Sequence, residues 1–232
     1  MRTIGLIGGM SWESTAHYYR HINEAIKARL GGLHSAQLVL VSVDFHDIER
    51  MQVAGEWQEA GERLAACARA LAAAGAGCIV VCANTMHKVA PQIEAAVRLP
   101  LLHVTDATGE AIRRAGFSKV GLLGTRYTMA EPFYKDRLRE RFGLEVLIPD
   151  DADRAAANRI IFEELVRGQV LEASRVAMRR IMARLVERGA QGIILGCTEF
   201  SLLLADADAS VPLFDTTLLH AQAAAEWALA GT

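Results

Sequence analysis

The 232-residue chain has no apolar run that approaches the length of a bilayer span. A membrane-spanning helix is therefore not expected. It also lacks an excess of charge: 25 basic and 27 acidic side chains leave a formal net charge of −2. No global basic field is available to draw in nucleic acid or an anionic membrane. Cysteine is sparse, with Cys67, Cys78, Cys82 and Cys197 and no Cys-x-x-Cys pair, which argues against a disulfide framework. Ser/Gly-rich linkers and low-complexity segments are missing, so compact lobes are expected rather than beads on a string. The first residues, "MRTIGLIGG", run straight into a strand pattern without signal-peptide organisation, and the expected location is cytoplasmic. The early "GLIGGM" loop lacks the G-x-G-x-x-G spacing, and no G-x-x-x-x-G-K-[ST] phosphate loop occurs, which speaks against nucleotide binding. His17 and His21 are four apart, but no third ligand follows in a recognised arrangement, so no metal site is expected. A nucleophile-elbow signature for Ser-His-Asp catalysis is absent as well.

What is present is a globular composition, 52% apolar and 22% charged, long enough to bury a substantial core. Short apolar runs alternate with helical patterns. The strands expected are Thr3–Gly8, Gln37–Val43, Cys78–Cys82, Leu101–Val104, Lys119–Gly124, Leu144–Ile148, Gly192–Gly196 and Pro212–Phe214. Helical patterns lie around Glu13–Ala28, Trp57–Ala74, His87–Val97, Ala107–Ala115, Ala130–Phe142, Ala155–Val166, Leu171–Glu187 and Thr217–Ala230. Strands that are apolar almost throughout are expected to be buried on both faces, and strand–helix alternation implies parallel sheets with helical crossovers. "DFHDIERMQ", with Asp44, His46, Asp47 and Gln52, reads as a solvated loop from which His46 or Gln52 could reach a ligand.

Three segment pairs repeat in the same order: "TIGLIGGM" with "KVGLLGTR", "GAGCIVVCANT" with "GAQGIILGCTE", and "LPLLHVTD" with "VPLFDTTL". Together they indicate two α/β lobes of related topology. The first lobe is placed at residues 1–104 plus 215–232 and the second at 105–214. Ligands in such lobes sit beyond the carboxyl ends of the strands. Gly8–Met10, Ala83–Thr85, Thr125–Thr128 and Cys197–Glu199 occupy those ends and are expected to face one cleft between the lobes. Aligning the middle pair sets Ala83 against Cys197. A strand-end cysteine before a helix is expected to have its thiol pKa lowered by backbone N–H groups, which makes Cys197 a candidate acid/base; the alternative is a buried, inert thiol. Asn84 and Thr85 could cap the following helix or hold a carboxylate there, and the two readings are compatible.

The segments "IGLIGGMSWEST", "GGLHSAQLVLVSVDFHDIE", "ANTMHKVA", "LLGTRYTM", "IIFEEL" and "GCTE" span nearly the whole chain. On them the protein resembles the aspartate/glutamate racemase superfamily, nearest to the bacterial branch with broad amino-acid specificity. The resemblance implies two pseudo-symmetric lobes and a homodimer. It also implies racemisation of an amino acid at Cα without pyridoxal phosphate, metal or other cofactor, with one acid/base side chain on each face of a planar intermediate. By the family pattern Cys197 is one of these. The other, a Cys or sometimes a Thr, falls on Ala83, which carries no transferable proton. Substrate contacts are expected from Met10, Ser11, Gln52, Asn84, Thr85, Thr128 and Thr198. The acidic-substrate anchors differ, with His46 and Val166 where many aspartate racemases have Arg and Lys, so strict aspartate specificity does not follow. Three accounts of Ala83 stay open: an engineered replacement of a Cys or Thr, a natural single-base enzyme acting on one face as the superfamily's decarboxylases do, and a catalytically silent amino-acid-binding homologue.

Overall fold

The computed structural model describes residues 1–230. The chain separates into two compact units: Met1–Val104 together with the segment from His220 onward, and Thr105–Leu219. Among the described residues no helix is long and apolar enough to cross a membrane.

The first unit begins with β1 (Ile4–Gly8), α1 (Trp12–Leu30) and β2 (Leu38–Ser42), continues through α2 (Phe45–Ala54) and α3 (Trp57–Ala73) to β3 (Cys78–Val81), and passes through a 3₁₀ turn (Thr85–Val89) and α4 (Ala90–Ala96) to β4 (Leu101–Leu102). The chain enters the second unit along α5 (Val104–Arg114). There follow β5 (Lys119–Gly124), α6 (Arg126–Ala130), α7 (Pro132–Phe142), β6 (Glu145–Leu147), α8 (Asp151–Arg159), α9 (Glu172–Glu187), β7 (Ile193–Gly196), α10 (Phe200–Leu203) and β8 (Leu213–Asp215). The last helix, α11 (Thr216–Leu229), starts in the second unit and rejoins the first at His220.

Each unit holds a four-stranded, all-parallel sheet, ordered β2-β1-β3-β4 in the first and β6-β5-β7-β8 in the second. Numbered within their own units, the two orders are identical. The registers repeat too. Ile7 pairs with Val81 and Ile79 with Leu101, while Leu123 pairs with Leu195 and Ile193 with Leu213. These are the partners that the three repeated segments predict, so the duplication extends from sequence to hydrogen-bonded register.

Both faces of β1 and β3 are covered. Alternate residues of β3 point into different clusters: Ile79, Val81 and Ala83 pack with Leu64, Ala68 and Leu71 of α3, whereas Cys78, Val80 and Cys82 pack with Tyr18, Ile22 and Ile26 of α1 and Ala221, Ala224 and Ala225 of α11. The two-residue period of a strand therefore sends Cys82 and Ala83 into opposite layers. Helix α3 buries Ala60, Leu64, Cys67, Ala68 and Leu71, a stripe at helical spacing, against the sheet.

Three expectations change. Gln37–Val43 does not yield a strand buried on both faces: β2 is an edge strand with only β1 beside it, and Leu40 is exposed. The segment after it is a helix rather than a loop. Asp44 accepts a hydrogen bond from the His46 N–H at 3.0 Å at its start, Gly55 in the left-handed region ends it, and Ile48, Met51 and Gln52 form its buried face. The Ala155–Val166 pattern starts earlier, at Asp151, and beyond Arg159 widens into a π-helical turn, Ile160–Glu164.

Candidate active site

In both units the first and third strands are neighbours at the sheet centre, and their carboxyl ends mark the point where successive crossovers diverge. That is where open α/β sheets bind ligands. In the first unit Met10 and Ser11 follow β1 and Ala83–Thr85 follow β3. In the second, Thr128 follows β5 and Cys197–Thr198 follow β7.

Around β1 the turn is closely built. The Gly9 N–H donates to Thr15 Oγ1 at 2.8 Å, and that hydroxyl donates to the Ser11 carbonyl at 2.8 Å. Ser11 Oγ caps α1 by accepting from the Ser14 N–H at 3.3 Å. Met10 and Ala83 belong to one buried cluster with Met51 and Met86. Gln52 lies on the buried face of α2, where its side-chain amide donates to Met86 Sδ at 3.0 Å, while His46 at the start of that helix is exposed. The sequence-predicted residues of this unit thus gather around the ends of β1 and β3, with His46 outside the group.

Asn84 takes the cap position of the turn Thr85–Val89 but makes no side-chain cap bond, so the purely capping role considered for it is not realised. Asn84 and Thr85 are both buried. Behind them His87 ties the end of β3 to the start of α5. Its Nε2 accepts from the Val104 N–H at 3.3 Å, and its Nδ1 lies 2.8 Å from the Ala83 carbonyl. An amide N–H can only donate and a carbonyl can only accept. The ring is therefore the neutral tautomer with its proton on Nδ1. A second imidazole extends the arrangement: His220 Nε2 donates to the Leu102 carbonyl at 2.7 Å, and its Nδ1 lies 2.9 Å from Tyr18 Oη. With both ring nitrogens committed to backbone, His87 positions residue 83 and cannot replace the proton carrier missing there.

In the second unit Thr125 caps α6, its Oγ1 accepting from the Thr128 N–H at 3.3 Å, and Thr128 is fully buried. The register Gly124 to Gly196 places Thr125 and Cys197 next to each other at the sheet's carboxyl edge. Cys197, 7% exposed, donates from Sγ to Glu199 Oε2 at 3.1 Å, and Thr198 Oγ1 donates to the same oxygen at 2.7 Å. The expectation of a thiol pKa lowered by a helix end is corrected. Burial, followed by the repulsion and the hydrogen bond of Glu199, pushes the Cys197 thiol well above its ordinary value. The helix that follows, α10, has only four residues.

Glu199 was expected at this strand end but was given no catalytic or binding role, although an acidic residue two positions after the candidate cysteine was the available signal. Among the described residues no group of three or more His, Cys, Asp or Glu side chains could hold a metal ion.

The chain is matched over residues 7–224 by the model of the Asp/Glu/hydantoin racemase family. A crystal structure of a presumed Asp/Glu racemase from Yersinia pestis is 59% identical, covers 99% of this chain and 100% of its own, and superposes with a TM-score of 0.93. An aspartate racemase homologue from Pyrococcus horikoshii is 37% identical, with coverage of 99% and 100% and a TM-score of 0.85. The aspartate racemase of Picrophilus torridus shares the fold at 18% identity, with coverage of 98% and 94% and a TM-score of 0.78. On the family match and these similarities together, the chain belongs to the Asp/Glu/hydantoin racemase family.

Proposed function

We propose that the protein is a cofactor-independent amino-acid racemase in design, and that Ala83 leaves it with one working acid/base residue, Cys197. The observation that carries this reading is the equivalence of Ala83 and Cys197: each follows the third strand of a sheet with the same strand order, two residues beyond the paired residues Val81 and Leu195. Racemisation takes a proton from one face of Cα and returns one to the other. The intermediate is planar, and one side chain cannot stand on both faces. A methyl group at residue 83 supplies neither proton nor base, and Cys82 faces the opposite layer. Asn84, Thr85, Thr198 and nearby backbone N–H groups are the candidates for the substrate carboxylate, whose enolate-like charge they would stabilise.

Under this reading the protein exchanges the α-hydrogen of one enantiomer while racemisation is weakened or lost. Incubation with L- and D-aspartate, glutamate and a wider amino-acid panel in D₂O, followed by chiral separation and mass analysis, tests it. Deuterium entering one enantiomer without its mirror image is the expected result. Rapid racemisation with Ala83 in place would overturn it. Binding without exchange would assign the protein to a non-catalytic, amino-acid-binding role.

A second reading, protonation of a planar intermediate on one face as in a decarboxylase, is favoured by one observation: Cys197 is placed as a hydrogen-bond donor, the form that delivers a proton. Carbon dioxide release from arylmalonates separates it from the first. A homodimer is proposed on the same family grounds, with light scattering coupled to size exclusion as its test.

A further inference from the structure

We propose that Glu199 is a positioning residue that acts through Cys197, holding the sulfur as a directed thiol and storing its proton whenever the sulfur serves as base. The proposal rests on Cys197 being the acid/base residue of the reading above. Its ground is the three-atom arrangement at the end of β7. Cys197 Sγ is 3.1 Å from Glu199 Oε2, and Thr198 Oγ1 donates to that same oxygen at 2.7 Å. All three side chains are buried. A carboxylate has acceptor sites only, so the sulfur's hydrogen points at Oε2. The Thr198 hydroxyl fixes that oxygen in place.

The proton balance is closed within the pair. To make Cys197 a base, the S–H bond breaks and an O–H bond forms at Oε2, with the electron pair left on sulfur. The thiolate then takes the α-hydrogen as a proton: a new S–H bond forms, the C–H bond breaks, and its electron pair remains on Cα. Running these steps backwards makes Cys197 the acid. The pair carries one proton before the transfer and two after it, the second being the one taken from Cα, with no oxidant, metal or cofactor taking part. A lone buried thiol would have no adjacent acceptor for its proton.

The test reads the thiol rather than turnover. Iodoacetamide labelling of Cys197, followed by peptide mass spectrometry from pH 6 to 11, gives the pH profile of that one sulfur. For the unaltered protein the profile is expected to rise above the ordinary thiol range of about 8.5. Glu199→Gln keeps the shape and removes the charge. It is expected to move the profile downward and to raise the labelling rate at pH 7.5 by about tenfold for each unit moved. Glu199→Asp retains the carboxylate and is expected to stay nearer the unaltered profile than Glu199→Gln does. An unaltered protein whose Cys197 titrates at or below about 8.5 overturns the proposal without any variant. A Glu199→Gln profile that coincides with the unaltered one overturns it too. A shifted profile with no α-hydrogen exchange from any amino acid in the panel supports the thiol–carboxylate pair and counts against the racemase reading alone.

Discussion

Ala83 and Cys197 differ by one sulfur atom, and the functional reading turns on it. A positioned acid or base contributes about 10²–10⁴-fold to a proton-transfer step. Ala83→Cys is therefore expected to raise the rate of enantiomer interconversion by that order, while Cys197→Ser removes α-hydrogen exchange in the parent and in the variant alike. Polarimetry and deuterium incorporation on the same samples check both. If neither substitution changes turnover, Cys197 is not the acid/base. His87 has a different part. Both its ring nitrogens pair with backbone, at Ala83 and Val104. His87→Ala takes a partner from two buried polar groups at about 1–3 kcal/mol each. The urea unfolding midpoint is expected to fall by an amount equivalent to roughly 2–6 kcal/mol. A loss below about 0.5 kcal/mol would show that the imidazole is not what ties the end of β3 to the start of α5.

Among the elements, β1 and the turn that leaves it set the geometry of the first unit's site. Gly9 has φ of +90°, and a Cβ built there would stand 2.1 Å from the Val43 carbonyl oxygen. Backbone approaches backbone, so no side-chain rotation relieves the clash. Gly9→Ala is expected to cost at least about 1–3 kcal/mol and to displace Met10 and Ser11 with it. Thermal unfolding, together with loss of amino-acid binding by calorimetry, would register both effects. Retained stability with unchanged binding would mean that the turn tolerates a different path. The contrast between β2 and β3 shows why some elements were harder to read than others. Both are apolar runs of similar length, but β3 lies between β1 and β4 while β2 has one neighbour. Nothing in the local pattern encodes the number of neighbours a strand acquires. The helix Phe45–Ala54 was obscured by its composition: its buried face consists of Ile48, Met51 and the polar Gln52, a stripe too thin to show a helical period.

Over the whole molecule, the buried thiols couple folding to alkaline pH. Burial raises all four: Cys67, Cys78 to about 12, and Cys82 and Cys197 as well. The folded state keeps these protons at a pH where the unfolded chain, with ordinary thiols near 8.5, has released them. Stability contributed this way is fully present below about pH 8.5 and is lost as pH rises towards the folded values. The slope is about 1.4 kcal/mol per pH unit for each thiol inside its window. Cys78→Ala is therefore expected to flatten the fall of stability between about pH 9 and pH 11 by one thiol's worth. Urea titrations at several pH values check the slope. Parallel curves for parent and variant would show that Cys78 ionises alike in both states.

Residue order alone carries the repeated unit. Strand–helix alternation, the position of Gly after each early strand, and three matched segments encode local structure and pairing order, and such features depend on contacts between near neighbours along the chain. It also set Ala83 opposite Cys197, because residues at a repeat's equivalent positions inherit equivalent places. Packing sets what depends on the surroundings each residue acquires. It made β2 an edge, committed both nitrogens of His87, and buried Cys197 with Glu199, the sulfur 3.1 Å from the carboxylate oxygen. The direction of the thiol's shift belongs to this second group. A helix end is legible from residue order, but desolvation and a buried negative charge are properties of the packed interior, and here they outweigh it.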